Sequence, residues 1–117
     1  MSDADDRRQL QDVMLSYAAA VDDRDMARYR ACFANDVEIV GFGEAIINGA
    51  DTWTASVGRQ LEAFSATQHL MGPQLATVSG DTASARTDVQ ALHVLKDGDG
   101  AIFTLWATYL TEFVRNG

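Results

Sequence analysis

The sequence has very little of several residue types, and each shortage excludes a class of protein. Among 117 residues there is a single cysteine, Cys32, and a single proline. One cysteine cannot form an intramolecular disulfide or a cysteine-rich zinc site, which favours a reducing compartment. No apolar run approaches the roughly 20 residues of a membrane-spanning helix, and the acidic N-terminus is unlike a basic secretory signal. We therefore expect a cytoplasmic protein that is neither exported nor inserted in a membrane.

Basic residues are also scarce. Nine Lys and Arg face seventeen Asp and Glu, which gives a formal net charge of -8. A charge of this sign repels phosphate backbones and anionic lipid surfaces, so nucleic acid and membrane partners are not expected. What the chain does have is a hydrophobic fraction of 47%, enough for the packed core of one domain.

Apolar spacing in the first half predicts three helices. Apolar side chains recur every three or four residues from Leu10 to Val21, in a helix that should begin near Ser2 and stop at Asp22. Asp25 and Asp51 should cap the second and third helices. The buried faces of these two helices are predicted to hold Met26, Tyr29 and Phe33, and Trp53, Val57, Leu61 and Phe64.

Strands dominate the rest of the chain. Two short strands are predicted at 37–43 and 45–47, and three longer ones at 67–78, 82–96 and 101–115, separated by Gly-Asp turns. This order predicts an α+β fold in one domain covering residues 1–117, with an antiparallel meander that curls around the helices. Asn116-Gly117 is a strong turn signal with no strand after it, so either this sequence is cut short or a returning strand comes from elsewhere; we expect the former, with the last strand missing.

Motifs for metal, phosphate and nucleotide binding are absent. The Gly41-Phe42-Gly43 segment lacks the third glycine and the following helix of a dinucleotide site, and no Gly-Lys-Ser/Thr loop occurs. There is no Gly-x-Ser-x-Gly elbow, and Cys32 has no predicted activating base, so covalent catalysis is not expected. We expect neither metal nor cofactor, and proton transfer remains as the chemistry to consider.

Four polar residues could carry proton transfer. His93 shares a strand face with alanines and a valine and should point inward, whereas the direction of His69 is left open by its neighbours. A histidine on an apolar face is most often a hydrogen-bonded core residue. Asp22, at the end of an apolar helix face, is either a solvated charge or a carboxylate that orients an imidazole and raises its basicity. Tyr17 is either core or a hydrogen-bond donor to a substrate oxygen.

Five large apolar residues are candidates for core or for the wall of a ligand pocket. They are Trp53, Phe42, Phe64, Met71 and Trp106. The pattern does not choose between the two interpretations.

Short motifs along nearly the whole chain resemble one family in their order and spacing. They are Tyr17-Ala-Ala-Ala-Val-Asp22 with Asp25, Phe33-Ala-Asn-Asp36-Val37, Ile47-Asn-Gly49-Ala-Asp51, Thr67-Gln-His69, Gly80-Asp81-Thr82-Ala83, and His93. With them the chain resembles the SnoaL-like branch of the nuclear-transport-factor-2-like (NTF2-like) superfamily. Scytalone dehydratases, ketosteroid isomerases, polyketide cyclases and a dehydrochlorinase belong to this superfamily. The resemblance implies a cone-shaped, cystatin-like α+β barrel, in which a curved, mainly antiparallel sheet wraps around three helices and encloses one deep pocket.

The resemblance also implies roles for single residues. Asp22 and His69 match the aspartate–histidine base of the dehydrochlorinase, and with His93 they match the constellation of the scytalone dehydratases. Tyr17 matches the oxyanion-hole tyrosine of the isomerases, but Gly41 stands where their aspartate base would be. The paired tyrosines of the dehydratases are absent as well, so their particular substrate is not carried over.

Two functions follow as hypotheses. The first is a cofactor-independent lyase, dehydratase-like, or an isomerase or cyclase, acting on a small apolar carbonyl or cyclic compound. His69 would be the base, Asp22 its orienting partner, His93 a second acid or base, and Tyr17 the donor to the oxygen anion. The alternative is a non-catalytic module that binds a small ligand or pairs with another protein. Hydrogen-bond contact between Asp22 and a buried histidine would favour the enzyme.

The last strand is apolar on both faces, which predicts association. One face carries Ile102, Thr104, Trp106, Thr108 and Leu110, and the other carries Phe103, Leu105, Ala107, Tyr109 and Phe113. A strand of this kind must be covered on both sides. We expect a homodimer packed sheet to sheet that buries at least about 1,000 Å² in total.

Overall fold

The computed structural model describes residues 2–116 and has the predicted α+β architecture. The elements are α1 Asp3–Asp22, α2 Met26–Ala31, β1 Glu38–Ile39, β2 Ile47–Asn48, α3 Ala50–Leu61, β3 Phe64–Ser79, β4 Thr82–Leu95 and β5 Ile102–Val114. The short strands β1 and β2 form an antiparallel pair, and the long strands form a separate antiparallel sheet in the order β3-β4-β5. Among residues 2–116, no helix is both long and apolar enough to cross a membrane.

Two of the three predicted helix caps are confirmed. The Ser2 hydroxyl accepts the Asp5 backbone N–H at 3.2 Å, and the Asp25 carboxylate accepts the Arg28 backbone N–H at 3.1 Å. The prediction that Asp51 caps α3 is wrong. Gly49 occupies the cap position with φ +95° and no side-chain bond, because its left-handed backbone turns the chain into the helix two residues earlier.

The three helices share one apolar core, against which Ile39 of β1 and Ile47 of β2 also pack. It consists of Ala20, Val21, Tyr29, Trp53, Val57 and Leu61. The inner face predicted for α3 is confirmed for Trp53, Val57 and Leu61. Phe64 was predicted to extend that face, but it is the first residue of β3, since α3 ends at Leu61.

Alternation along β4 gives the sheet one inner and one outer face. The inner row is buried and consists of Ala83, Ala85, Thr87, Val89, Ala91 and His93, which confirms the inward direction of His93. Strand β3 is an edge strand, and a bulge between Met71 and Gln74 interrupts its pairing with β4. Bulges bend a strand and increase its twist, and α1 packs along this bent strand.

The outer face of the sheet leaves large apolar side chains uncovered. They include Leu70, Leu75, Ile102, Trp106, Leu110 and Val114. Trp106 pairs with Gln90 in the outer row and its residue surface is 75% exposed, so it cannot line a pocket on the inner face. The interpretation of Trp106 as a core residue is therefore wrong, because residues with even numbers on β5 point outward, while its assignment to the wall of a ligand pocket stays a prediction.

Candidate active site

Asp22 and His69 form a close pair where the end of α1 meets β3. The Oδ1 atom of Asp22 lies 2.8 Å from Nδ1 of His69, and its Oδ2 atom accepts the His69 backbone N–H at 2.7 Å. Because β3 is an edge strand, this N–H has no neighbouring strand on that side, and the carboxylate takes the place of one. The direction of His69, which the sequence leaves open, is thus fixed toward α1.

The carboxylate also holds the imidazole in one tautomer. An ionised carboxylate can only accept hydrogen bonds, so Nδ1 of His69 carries the proton and donates it to Asp22. The second ring nitrogen, Nε2, then has a free lone pair, and no residue among 2–116 hydrogen-bonds to it. The His69 side chain is only 8% exposed, so this lone pair lies in a site with little water. Such an imidazole is arranged as a general base.

His93 places a second imidazole beside the first. Its ring centroid is 6.0 Å from that of His69, with the two planes nearly perpendicular. Its Nδ1 atom lies 3.3 Å from the carbonyl oxygen of Phe103, which can only accept, so this nitrogen also carries a proton. The ring is packed against Phe64 at 4.7 Å and Phe103 at 5.2 Å. His93 is therefore a second imidazole that can carry a proton. Its surroundings are mainly apolar, and it does not hydrogen-bond to His69.

Tyr17 is not brought to the Asp22–His69 pair. Its ring lies 5.0 Å from that of Tyr29 and 5.8 Å from that of Tyr109, and the hydroxyl groups of the three residues interact. Burial raises the pKa of Tyr29 to about 12 and raises the pKa of Tyr17 and of Tyr109 still further above the ordinary value. All three phenols stay protonated near neutral pH and can act only as neutral hydrogen-bonding groups. We call these three residues the tyrosine cluster.

The predicted wall residues divide between two places. Trp53 is buried and donates from Nε1 to the Tyr29 hydroxyl at 3.0 Å, while the half-exposed Phe42 packs on Trp53 at 5.1 Å. Both residues thus contact the tyrosine cluster, Trp53 at Tyr29 and Phe42 at Tyr109. Phe64 and Met71 lie on the histidine side, Phe64 against His93 and Met71 in the β3 bulge.

Two cavities lie away from the Asp22–His69 pair. One, of about 250 Å³, is enclosed by the start of α1 and the far end of the sheet, between Asp6, Leu10 and Phe113. The other, of about 640 Å³, is a groove on the outer face between Leu70 and Trp106. Neither is lined by Asp22 or His69, so neither is the deep pocket that the family resemblance implies.

Other reactive groups do not join the site. No three His, Cys, Asp or Glu side chains within residues 2–116 are grouped so that they could hold a metal ion. The half-buried Cys32 thiol lies near the carbonyl oxygens of Val13 and Arg28, and burial raises its pKa, an effect that Arg28 partly opposes. A raised pKa keeps the thiol protonated and weakly nucleophilic.

Two residues of the site were not singled out as functional by the sequence. The Thr67 hydroxyl donates to Oδ1 of Asp22 at 3.0 Å, and Nη1 of Arg24 donates to the Thr67 hydroxyl at 2.8 Å. Thr67 could have been found by alternation, because it lies two residues before His69 and therefore on the same strand face. Arg24 follows Asp22 by two residues in a turn, and no local pattern shows where its side chain goes.

The architecture is that of NTF2-like proteins with the cystatin-like fold, in which three helices lie against a curved antiparallel sheet. The family model of the SnoaL-like domain matches residues 2–117. The chain belongs to the SnoaL-like domain family. No curated protein matches this sequence.

Solved structures share the fold over nearly the whole chain. A candidate aromatic ring hydroxylase from Novosphingobium aromaticivorans is 28% identical, with a TM-score of 0.87, covering 99% of this chain and 82% of its own. A candidate scytalone dehydratase from the same organism is 21% identical, with a TM-score of 0.85 and coverages of 93% and 73%. The hexachlorocyclohexane dehydrochlorinase LinA-type3 from Novosphingobium barchaimii is 21% identical, with a TM-score of 0.81 and coverages of 97% and 78%.

Proposed function

We propose that the protein is a lyase of the dehydratase type, or an isomerase or cyclase, that removes a proton from a small, largely apolar carbonyl or cyclic compound. The observation that carries this proposal is the 2.8 Å contact between Asp22 and Nδ1 of His69, whose side chains are only 20% and 8% exposed. Two of the structural relatives are named as a dehydratase and a dehydrochlorinase, and both names describe elimination reactions. Because both relatives are only 21% identical to this chain, their likeness supports the shared fold alone. The geometry of Asp22 and His69 supports the proposed chemistry.

The proposed reaction needs only the chain's own residues. Nε2 of His69 takes the proton from the carbon next to the carbonyl or leaving group, and the Asp22 carboxylate stabilises the imidazolium that forms. A doubly protonated His93 gives its Nε2 proton to the leaving group or to another carbon, and exchange with solvent then removes the proton from His69 and restores that of His93. The negative charge that develops on a substrate oxygen needs a donor in a water-poor site. We keep Tyr17 as the candidate donor, which requires a substrate long enough to reach from Nε2 of His69 to the tyrosine cluster.

His69→Ala tests the assignment of the base. With a substrate identified from small cyclic ketones and hydroxy compounds by thermal shift, turnover should fall about 10²–10⁴-fold while the variant stays folded. His93→Ala, measured in parallel, reports whether the second imidazole takes part. Unchanged turnover in His69→Ala would contradict the proposal.

The non-catalytic alternative makes a different prediction for the same variant. If the protein only binds its ligand, His69→Ala changes the thermal shift by no more than the loss of one contact and no substrate is converted. Tyr17→Phe separates the two cases further, because a donor to an oxygen anion acts on turnover more strongly than on ligand affinity.

We also propose a homodimer in which the outer faces of two sheets pack together, and a reducing cytoplasm as its setting. The uncovered apolar side chains flank a polar column on β4, where Arg86 lies 3.4 Å from Asp88. A two-fold axis through this column would bring each arginine against the aspartate of the second copy, so the face is complementary to itself in charge. Trp106 alone offers about 150–250 Å² of contact area.

The dimer is tested by one charged substitution and a matched control. Trp106→Glu places a charge in the centre of the proposed interface and should give a monomer mass by light scattering at micromolar concentration. Leu15→Glu changes an exposed leucine on α1, away from the sheet, and should keep the dimer mass. A monomer mass for the unchanged protein would rule the dimer out.

A further inference from the structure

The turn between α1 and α2 holds Arg24 in a backbone conformation that disfavours it. Its φ of +60° is left-handed, which crowds the β-carbon of any residue other than glycine. Strain of this kind persists only where the surroundings hold it in place, and it is found at functional sites more often than elsewhere. The contacts of the Arg24 side chain therefore need an explanation.

The Arg24 side chain ties the end of α1 to β3 beside the catalytic pair. Its Nη1 atom donates to the Val21 carbonyl oxygen and to the Thr67 hydroxyl, both at 2.8 Å. The Thr67 hydroxyl in turn lies 3.0 Å from Oδ1 of Asp22. Within residues 2–116 Arg24 has no ion pair with Asp22, and its Nη2 atom is buried without a partner. Its influence on the carboxylate thus passes through Thr67.

The chemistry of these groups fixes where the threonine proton points. A guanidinium only donates and an ionised carboxylate only accepts. A threonine hydroxyl has one proton, so when its oxygen accepts from Arg24, that proton is left to be donated to Asp22. Without Arg24 the hydroxyl could rotate and accept elsewhere. The carboxylate would then lose one of the donors that hold it against His69.

We propose that Arg24 is a positioning residue that acts through the Thr67 hydroxyl to hold the Asp22 carboxylate against His69. Two other charged or titratable side chains lie beside this carboxylate and imidazole: Arg24 from the turn, which is bonded to Thr67, and His93 from β4. The guanidinium is the permanently charged one of the two, and its contact with the carboxylate runs through the Thr67 hydroxyl. The relevance to catalysis rests on the proposed function, whereas the positioning itself can be measured without a substrate.

Hydrogen exchange of the His69 backbone N–H provides that measurement, because this group donates to Oδ2 of Asp22. Arg24→Gly removes the side chain and accepts the left-handed backbone without strain, and Thr67→Val removes the hydroxyl at nearly constant shape. Each single variant should speed exchange of this N–H about tenfold, the effect expected for weakening a hydrogen bond to a charged group. Arg24→Lys, which keeps a positive donor, should restore part of the protection. Arg28→Ala removes a nearby arginine with only a 3.5 Å contact to Ser16, and should leave exchange unchanged.

The double variant decides whether Arg24 acts through Thr67. If it does, Arg24→Gly combined with Thr67→Val exchanges no faster than either single variant. A roughly hundredfold increase, the product of two tenfold effects, would mean that the two residues act independently and would overturn the proposal. So would unchanged exchange in Arg24→Gly.

The exchange result is separate from the fate of the proposed function. Coupled exchange with full turnover in His69→Ala would keep the positioning role and reject the enzyme mechanism. Lost turnover in His69→Ala with unchanged exchange in Arg24→Gly would keep the enzyme mechanism and reject the positioning role of Arg24.

Discussion

Asp22→Asn is the most informative single change, because it keeps the size of the side chain and alters only its charge and what its atoms can donate or accept. The carboxylate accepts from Thr67 and from Nδ1 of His69 at Oδ1, and from the His69 backbone N–H at Oδ2. An asparagine has one accepting oxygen and one donating NH₂ group. It therefore cannot satisfy all of these donors in either orientation.

The two orientations of the amide differ in what they leave unpaired. With the oxygen at the Oδ1 position, the NH₂ group faces the His69 backbone N–H, and two donors meet. With the oxygen at the Oδ2 position, the backbone N–H stays paired, and the NH₂ group faces Nδ1 of His69 and the Thr67 hydroxyl. His69 can adapt to this second orientation by moving its proton to Nε2, so the second orientation is favoured.

The expected losses of stability and of turnover follow from the unpaired groups in the favoured orientation. The variant loses charge-assisted hydrogen bonds and leaves one polar group poorly paired. Together these effects should lower the free energy of unfolding by about 1–3 kcal/mol. Turnover should fall much more, by about 10⁴-fold, because the imidazole is then in the wrong tautomer and Nε2 can no longer accept a proton. Function and stability are thus expected to separate widely.

Nitrogen NMR of the His69 ring shows directly which nitrogen carries the proton. Denaturant unfolding gives the change in stability, and a turnover assay gives the change in activity. Asp23→Asn is the matched control, since Asp23 is the exposed neighbour at the C-cap of α1 and has no contact with His69. It should change neither the tautomer nor turnover. If Asp22→Asn leaves His69 protonated on Nδ1, the carboxylate does not set the tautomer and the reasoning is refuted.

Two further predictions concern pH. The raised pKa of Tyr17, Tyr29 and Tyr109 means that none of the phenols should show tyrosinate absorbance near the ordinary pKa of about 10. Because the unfolded chain releases these protons at lower pH than the folded chain does, the free energy of unfolding should decline as pH rises above about 10. Tyrosinate absorbance from the folded protein near that pH would contradict the buried cluster. Hydrogen bonds from Arg115 lower the pKa of Asp6, so this pair stabilises the folded state above the ordinary carboxyl pKa and is lost as pH falls through the lowered value. Asp6→Asn should accordingly lower the Tm at neutral pH and leave it unchanged in strong acid; an equal loss at both would refute the assignment.

Much of the fold follows from local patterns in the sequence. The three helices, the long meander and the inward direction of His93 depend on periods of 3.6 and 2, which each segment carries by itself. The same patterns misplaced the α3 cap at Asp51 and extended α3 to Phe64. Ends of elements depend on a few backbone angles, such as that of Gly49, and periodicity does not encode these.

The candidate site shows the same division between local pattern and tertiary structure. The sequence determined that proton chemistry had few possible carriers, since it has only two histidines and one cysteine, and it named Asp22, His69 and His93 among them. The tertiary structure decided that Asp22 bonds His69 while Tyr17 turns to other tyrosines. It alone decided that Trp106 faces outward and that Arg24 reaches Asp22 through Thr67. Contacts between residues more than 40 positions apart arise when helix and sheet pack together, and no local spacing in the chain specifies their geometry.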